Sequence, residues 1–281
     1  MTKITVHTLV KNEARFVWFA VMSVIEHVDK ILLWDTGSTD ETVDIIKEII
    51  KADNGKKVDF RVVGEVDPEG FTKIRQQMLD ATKTDWFIVV DGDEIWWQDS
   101  IRNLVSVIQK KGDRIESIVV PTINLIGDVF HFQDPQAGQY ELAGRKGHLA
   151  LRGVNRLIPG LKSERPHGKW GWTDGDGRMI QDRDKGKILF VDAPYLHATH
   201  LPRAGDRIKE SDVPKRVKKL KYEVGVPFPK DFYYPEVFFK PRPKIVPSPW
   251  VVPEASYWLR AYIETPIKRL KRRFLKGGVG Y

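Results

Sequence analysis

Two hydrophobic periods alternate along residues 1–125. Near-continuous apolar blocks at Lys3–Val10, Lys30–Asp35, Val58–Val63, Trp86–Val90 and Ser117–Ile123 predict strands, with β-branched Ile4, Thr5 and Val6 leading the first. Between them, positions three to four apart fall on one helical face: Phe16, Phe19, Ala20, Ser23 and Val24 in Ala14–Glu26, and Ile45, Ile46, Ile49 and Ile50 in Glu41–Lys51. Asp40 precedes the second of these as a helix cap. Phe71–Thr82 and Ser100–Lys111 read as two further helices. Strands apolar on both faces, alternating with helices, predict an α/β fold with a doubly wound, mostly parallel sheet and helices on both faces.

Past Leu125 the regularity fades. Gly127–Leu161 is loop-rich with a hairpin expected around His148–Leu157, Gly168–Gly186 is crowded with Gly, Asp and Trp, and Lys187–Tyr195 reads as one more strand. Pro227–Pro253 holds eight of the 17 prolines but also Phe228, Phe232, Tyr233, Tyr234, Phe238, Phe239 and Trp250. A flexible linker would not carry seven aromatics, so this segment is expected to lie extended against the body. No internal repeat is evident.

Charge divides the chain. Residues 1–111 hold 15 Lys+Arg against 19 Asp+Glu, whereas from Arg203 onward 19 basic residues face 8 acidic ones. The total is +8 over 281 residues. An acidic first part and a basic tail suggest two jobs. The absence of cysteine excludes disulfides, thiolate catalysis and Cys-based metal sites, so any metal must be held by oxygen or imidazole nitrogen. No apolar run approaches the ~20 residues of a membrane span. The N-terminal stretch lacks a charged region followed by a long apolar one, so a cytoplasmic protein is expected.

In an open parallel sheet, ligands bind beyond the carboxyl ends of the strands. Four polar groups fall there: Lys11-Asn12-Glu13, the run from Asp35 to Asp40, Asp91-Gly92-Asp93-Glu94, and His197 with His200 after LFVDAPYL. Two carboxylates flanking Gly92 at the end of a buried strand can share one divalent cation or a cation-bound diphosphate, and such hard oxygens suit Mg²⁺ or Mn²⁺. A solvated Asp-Gly turn would look the same in isolation; the five apolar residues before it favour the ligand. In the Asp35 loop, Gly37 makes the turn and Asp40 caps the helix, which leaves Asp35 free to accept hydrogen bonds from a ribose or base.

Val10-Lys11-Asn12-Glu13, then LLWDTGSTDETVDII, then VVDGDE together resemble the nucleotide-sugar domain of inverting family 2 glycosyltransferases of GT-A fold. The likeness implies a nucleotide-diphosphate sugar donor, Mn²⁺ or Mg²⁺ as cofactor, and a single-displacement transfer of the hexosyltransferase class to a glycan or lipid-linked acceptor, as in polysaccharide biosynthesis. It implies that Asn12 and Glu13 line the nucleoside pocket, that Asp35 contacts the nucleoside, that Arg75 lies near the donor, and that Asp91 and Asp93 hold the metal and diphosphate. Thr36 stands where many members carry a second Asp. GT-A enzymes often complete the metal site with a late His, which here is one of His197 and His200, with His200 preferred. The expected division is a transferase domain over 1–203, with a donor half 1–125 and an acceptor half 126–203. A basic, Pro- and aromatic-rich extension would cover 204–281.

An inverting transfer also needs a base at the acceptor hydroxyl. The matching stretch is Lys162–Asp176, where His167 is followed by Gly168 instead of the Glu common in relatives, leaving Asp174, Asp176, Glu164 and His167 as candidates. Trp170 and Trp172 read either as a sugar-stacking face or as buried anchors of a hairpin. Two basic amphipathic helices are expected, one at Lys215–Val224 and one starting after Thr265, with Thr265 as cap and Pro266 in the first turn. Such helices suit an anionic membrane surface, which would place the protein at the inner face of the membrane. No nucleic-acid-binding motif accompanies them. The alternatives are a nucleotidyltransferase, which wants a glycine-rich basic loop after the first strand that Val10–Ala14 does not supply, and a non-enzymatic binding module for a membrane surface or a phosphate-rich polymer.

Overall fold

The computed structural model describes residues 2–166, 170–204 and 219–274. Its strands are β1 (Ile4–Val10), β2 (Lys30–Asp35), β3 (Val58–Val62), β4 (Trp86–Val89), β5 (Glu94–Trp96), β6 (Ser117–Ile126), β7 (Asp128–Phe132), β8 (Tyr140–Leu142), β9 (Arg145–Gly147), β10 (Leu149–Asn155), β11 (Lys162–Glu164), β12 (Gly171–Thr173), β13 (Ile188–Phe190), β14 (Tyr195–His200) and β15 (Val226–Pro227). The helices are α1 (Val17–Val24), α2 (Thr42–Ala52), α3 (Pro68–Ala81), α4 (Gln98–Lys111) and α5 (Ala255–Phe274).

The central sheet runs β15-β7-β6-β10-β4-β1-β2-β3, and β13 and β14 pair alongside β6. β3, β2, β1 and β4 are mutually parallel, while β10 enters antiparallel to both β4 and β6. Alternation along β1 and β2 sends Ile4, Val6, Val10, Ile31 and Leu33 into a core shared with α1, α2 and α4. Leu9, Leu32 and Trp34 point the other way, onto Ile74 and Met78 of α3. Helices thus cover both faces, which explains why the parallel strands read as unbroken apolar blocks. α3 begins three residues before its expected start because Asp67 accepts a hydrogen bond from Gly70 N at 2.6 Å and Pro68 occupies the first turn.

Four expectations past Leu125 are corrected. The hairpin around His148–Leu157 is one strand, β10, in the middle of the sheet. Gly153 is not a turn residue; it faces Ile118, whose Cβ would lie 3.1 Å from an added methyl, and the pairing with β6 slips between Leu151 and Gly153. Arg152 is the extra residue of that bulge. The strand expected at Lys187–Tyr195 is two strands, β13 and β14, and His197 and His200 lie within β14, on either side of a second register shift against β6. The C-terminal helix starts ten residues before Thr265. Thr265 is buried mid-helix, where its hydroxyl donates to Ala261 O at 2.6 Å, and Pro266 sits inside the helix. Of the second basic helix, residues 215–218 lie outside the described residues, and Leu220–Val224 are not helical.

Between β15 and α5 the chain packs by its aromatics. Phe228, Phe232, Tyr234 and Trp250 lie against the main core, and Phe238 meets Phe19 of α1 edge-on at 5.2 Å.

Candidate active site

β1, β2 and β4 end side by side, and each delivers a polar turn. At the end of β1, Asn12 adopts φ 53°, a left-handed conformation that Asn tolerates better than most residues. There its Oδ1 accepts from Thr39 N at 2.7 Å while its own N–H donates to Ser38 Oγ at 2.8 Å. Glu13 N donates to Thr42 Oγ1 at 2.7 Å, tying the β1 turn to the start of α2. Asp35 is buried, and its carboxylate accepts from the N–H groups of Gly37 and Ser38 at 3.0 Å each and from the Ser38 hydroxyl. It therefore shapes its own loop. Thr36 Oγ1 donates back to Val10 O at 2.9 Å.

After β4 the chain turns through Asp91-Gly92-Asp93. An added Cβ at Gly92 would stand 2.8 Å from Val10 Cγ1 and 3.0 Å from Glu13 Cγ, so only glycine allows this approach to the β1 turn. Asp91 Oδ1 accepts from Arg75 at 2.8 Å, and its Oδ2 lies 3.5 Å from Arg152. Asp93 Oδ2 accepts from Arg203 at 2.5 Å and faces His197 Nε2 at 3.5 Å; Arg203 also reaches Glu13 Oε1 at 3.1 Å. Burial works to raise both aspartates. Against it, Arg152 and Arg75 hold the Asp91 carboxyl below its usual value, and Arg203 and His197 hold Asp93 well below it. Glu94 is buried beneath them, pairs with Arg152 and accepts from Asp91 N at 3.3 Å, and burial pushes its carboxyl up to about 7 despite Arg152. Arg75 lies between the rings of Phe71 and Trp170 at 5.3 and 5.1 Å, and its Nε and one terminal nitrogen have no partner among the described residues.

A cavity of about 570 Å³ adjoins this corner through Arg152 and His197, walled by β10, β14, Trp170–Trp172, Lys219 and Lys221; Asp91 and Asp93 are not themselves among its lining residues. Trp170 and Trp172 both line it. Trp172 is buried against Phe87 at 5.1 Å, and Trp170 hydrogen-bonds Ser163 Oγ at 2.7 Å, so the pair anchors the hairpin while showing one side to the cavity.

The structure brings Asn12, Glu13, Asp35, Arg75, Asp91, Asp93 and His197 to one corner. His200 lines the cavity but is held by Lys219 O at 2.8 Å and Gln133 Oε1 at 3.3 Å, away from the aspartates. Among the expected bases, Asp174 is engaged by Arg183 and by the N–H groups of Asp176 and Arg178, Asp176 is exposed on that turn, and Glu164 pairs with Lys162 at 2.7 Å. None of the three is a lining residue. His167 lies outside the described residues. Sequence reasoning missed Arg152, Arg203 and Lys219, and named Glu94 only as the end of the Asp91-Gly92-Asp93-Glu94 run, with no role of its own. An isolated Arg inside the apolar run Leu149–Val154 was the one signal available, and the bulge explains why alternation concealed it.

Asp91, Asp93 and His197 offer two carboxylates and an imidazole, a donor set that suits Mn²⁺ or Mg²⁺. Among the described residues no ready-made cluster of three such ligands stands together, so further ligands would come from diphosphate oxygens and water.

A parallel sheet with paired carboxylates beyond β4 and polar turns beyond its neighbours defines a GT-A type of fold. The sequence model of the family described as Glycosyl transferase family 2 matches residues 5–154, more than half of the chain, and the chain belongs to that family. A search of curated proteins found no match. Among solved structures, the chain is similar to TarS of S. aureus (14% identity, TM-score 0.48, covering 70% of this chain and 37% of that one). It is also similar to the mannosyltransferase PcManGT of Pyrobaculum calidifontis in complex with GDP-Man and Mn²⁺ (13%, 0.45, 70% and 57%). A third likeness is to glucosyl-3-phosphoglycerate synthase of Mycobacterium tuberculosis in complex with Mn²⁺ and UDP-glucose (19%, 0.44, 70% and 71%). The chain thus spans about a third of the length of TarS. At these scores the likenesses bear on neither substrate nor residue roles.

Proposed function

We propose that this glycosyltransferase is a metal-dependent, inverting enzyme of the hexosyltransferase class. It would move a sugar from a nucleotide-diphosphate donor to an acceptor hydroxyl that enters through the 570 Å³ cavity. The observation that carries this reading is the corner itself: Asp91 and Asp93 are held ionised beside His197, with Arg75 bonded to Asp91 and Arg203 to Asp93. Asn12, Glu13 and Asp35 shape the wall assigned to the nucleoside. Asp91, Asp93 and His197 would hold Mn²⁺ or Mg²⁺, which when bound offsets charge on the departing diphosphate. Arg75 and Arg152 orient the diphosphate oxygens, and the cavity holds the acceptor on the far side of the anomeric carbon. Attack of the hydroxyl there forms the new glycosidic bond, breaks the bond to the diphosphate, which leaves as the nucleoside diphosphate, and inverts the centre, while the hydroxyl proton passes to a base; of the candidates the sequence offered, His167, outside the described residues, is the one left for that role.

Thermal-shift titration against UDP-, GDP- and dTDP-sugars, with and without Mn²⁺, tests the reading. A donor at saturating concentration shifts the melting midpoint by several degrees through mass action. Asp93→Asn removes that metal-dependent shift and lowers turnover about 10³-fold, equivalent to about 4 kcal/mol of barrier, while circular dichroism stays the same. Unchanged turnover in Asp93→Asn defeats the proposal.

We infer further that α5 rests on an anionic bilayer, which would place the enzyme peripherally at the inner face of the membrane and suit a glycan or lipid-linked acceptor. Leu259, Tyr262, Ile263, Ile267 and Leu270 form one stripe, between 53% and 68% exposed, along the outer side of the helix. Arg269 and Lys271 flank it and are exposed, matching anionic headgroups. No helix among the described residues is long and apolar enough to cross a membrane. Ile267→Glu with Leu270→Glu lowers co-sedimentation with vesicles containing anionic lipid at least fivefold; equal sedimentation rejects this placement.

A further inference from the structure

We propose that the end of the cavity away from Asp91 and Asp93 is a seat for a phosphate group carried by the acceptor, built on Lys221 with Lys219 beside it. This deepens the transferase reading and rests on it for the word acceptor alone.

The cavity wall is chemically one-sided. Its charged and titratable nitrogens come from Arg152, His148, His197, His200, Lys219 and Lys221, and no Asp or Glu is among the described lining residues. The donor corner accounts for part of this set: Arg152 and His197 each lie 3.5 Å from an aspartate oxygen, and Lys219 feels the pull of Asp93 and Asp91. His148 is spent on structure, since Nδ1 meets the Asn124 amide at 3.1 Å and Nε2 meets Asp134 O at 3.2 Å.

Lys221 is left over. No carboxylate lies within ion-pair distance of its ammonium among the described residues. The acid among the described residues whose charge acts on it, Glu223, is taken by both terminal nitrogens of Arg272. Among the described residues the groups facing Lys221 are otherwise cationic or neutral: Arg272 and Lys268 from α5, His200 from β14 and His148 before β10. Lys268 Nζ is itself turned to Tyr222 O at 2.8 Å. Burial, then Arg272, push the Lys221 ammonium down to about 8, and burial followed by Lys221 pushes His200 well below its ordinary value. A partly buried ammonium held among like charges is unfavourable until an anion arrives. A phosphate, with three acceptor oxygens and no donors of its own, meets that demand and is stabilised more strongly than a neutral hydroxyl. The volume accommodates a small phosphorylated acceptor or the head of a larger one.

The test uses the full chain with UDP and Mn²⁺ saturating, so that added anions cannot report on the donor corner. Inorganic phosphate and glycerol 3-phosphate are titrated by thermal shift and by ³¹P line broadening. Both bind the wild-type chain, and Lys221→Gln raises their dissociation constants at least tenfold while the UDP midpoint is unchanged. Lys221→Arg retains binding. Gln139→Glu, at an exposed lining position where folding is not at stake, puts a carboxylate at the cavity mouth and weakens phosphate about threefold. Phosphate affinity indifferent to Lys221→Gln and Gln139→Glu, or phosphate that simply competes with UDP, overturns the proposal. Phosphatidic acid vesicles form a second arm. Competition by these vesicles identifies a lipid headgroup as the source, and competition by glycerol 3-phosphate alone identifies a soluble one. Lys221-dependent phosphate binding in a chain that binds no nucleotide would defeat the transferase reading and leave this seat standing.

Discussion

At the carboxyl end of β4 each charged side chain meets its opposite: Asp91 with Arg75 and Arg152, Glu94 with Arg152, and Asp93 and Glu13 with Arg203. At the other end of the same cavity, Lys221 has cations for neighbours and an acid already committed to Arg272. The β4 corner is largely buried, while at the other end Lys221, Lys268 and Arg272 are half-buried. A corner whose charges are mutually satisfied keeps its geometry before substrate arrives, as preorganised electrostatics requires. An end whose charges are unsatisfied stores a penalty that only a ligand of opposite sign relieves. The contrast teaches which end supplies chemistry and which supplies selectivity.

The first way to break this comparison is to unbalance the satisfied end. Arg203→Met leaves Asp93 and Glu13 buried with their guanidinium gone. Breaking a buried pair from one side costs about 3–5 kcal/mol, so the melting midpoint falls by roughly 6–12 °C and the urea midpoint falls with it. A variant as stable as the parent would mean that Arg203 is ornamental.

The same subtraction at the other end has the opposite sign. Lys221→Gln removes an ammonium from among like charges, so in phosphate-free buffer the protein is expected to gain about 1 kcal/mol, or roughly 2–4 °C. Destabilisation comparable to that of Arg203→Met would erase the distinction between the two ends.

Much of the satisfied end was legible in the sequence, and little of the other was. Strands β1, β2 and β4 are buried on both faces, so their apolar blocks stand out locally, and the residue ending each block falls in the crevice for topological reasons. Asn12, Asp35, Asp91 and Asp93 could be picked out on that basis. Arg152 could not, because a bulge at Gly153 breaks the alternation that reveals a residue's face, and the stretch around it was expected to be a hairpin. The two histidines could not be told apart from the sequence: the register shift in β14 carries His197 to Asp93 and His200 to Gln133. Pro266 favours a helix start, yet α5 continues through it while Thr265 attends to the Ala261 carbonyl. For Arg152 and the histidines the deciding fact is a pairing with a distant strand, which local periodicity does not encode.

The finest probe of the comparison is pH. Lys221 titrates at about 8 in the folded protein, below the ordinary value of 10.5, so the folded state gives up this proton more readily than the unfolded chain. Its contribution to stability is therefore unfavourable while the group is charged, and it is relieved as pH rises from about 8 toward 10.5, where the unfolded chain binds the extra proton. Anion affinity moves the other way. The second ionisation of a phosphate monoester lies near 6, so glycerol 3-phosphate carries constant charge between pH 7 and 9 and any change there belongs to the protein. Its affinity should fall about fivefold to tenfold across that interval, read by calorimetric titration with UDP and Mn²⁺ present, as Lys221 loses its proton amid Arg272, Lys268, His200 and His148. In Lys221→Gln the affinity is weak and flat over the same range. A wild-type profile equally flat would place the anion elsewhere; Glu94 at the β4 corner also titrates near 7, and because Lys221→Gln retains Glu94, the difference between the two profiles isolates the part that belongs to Lys221.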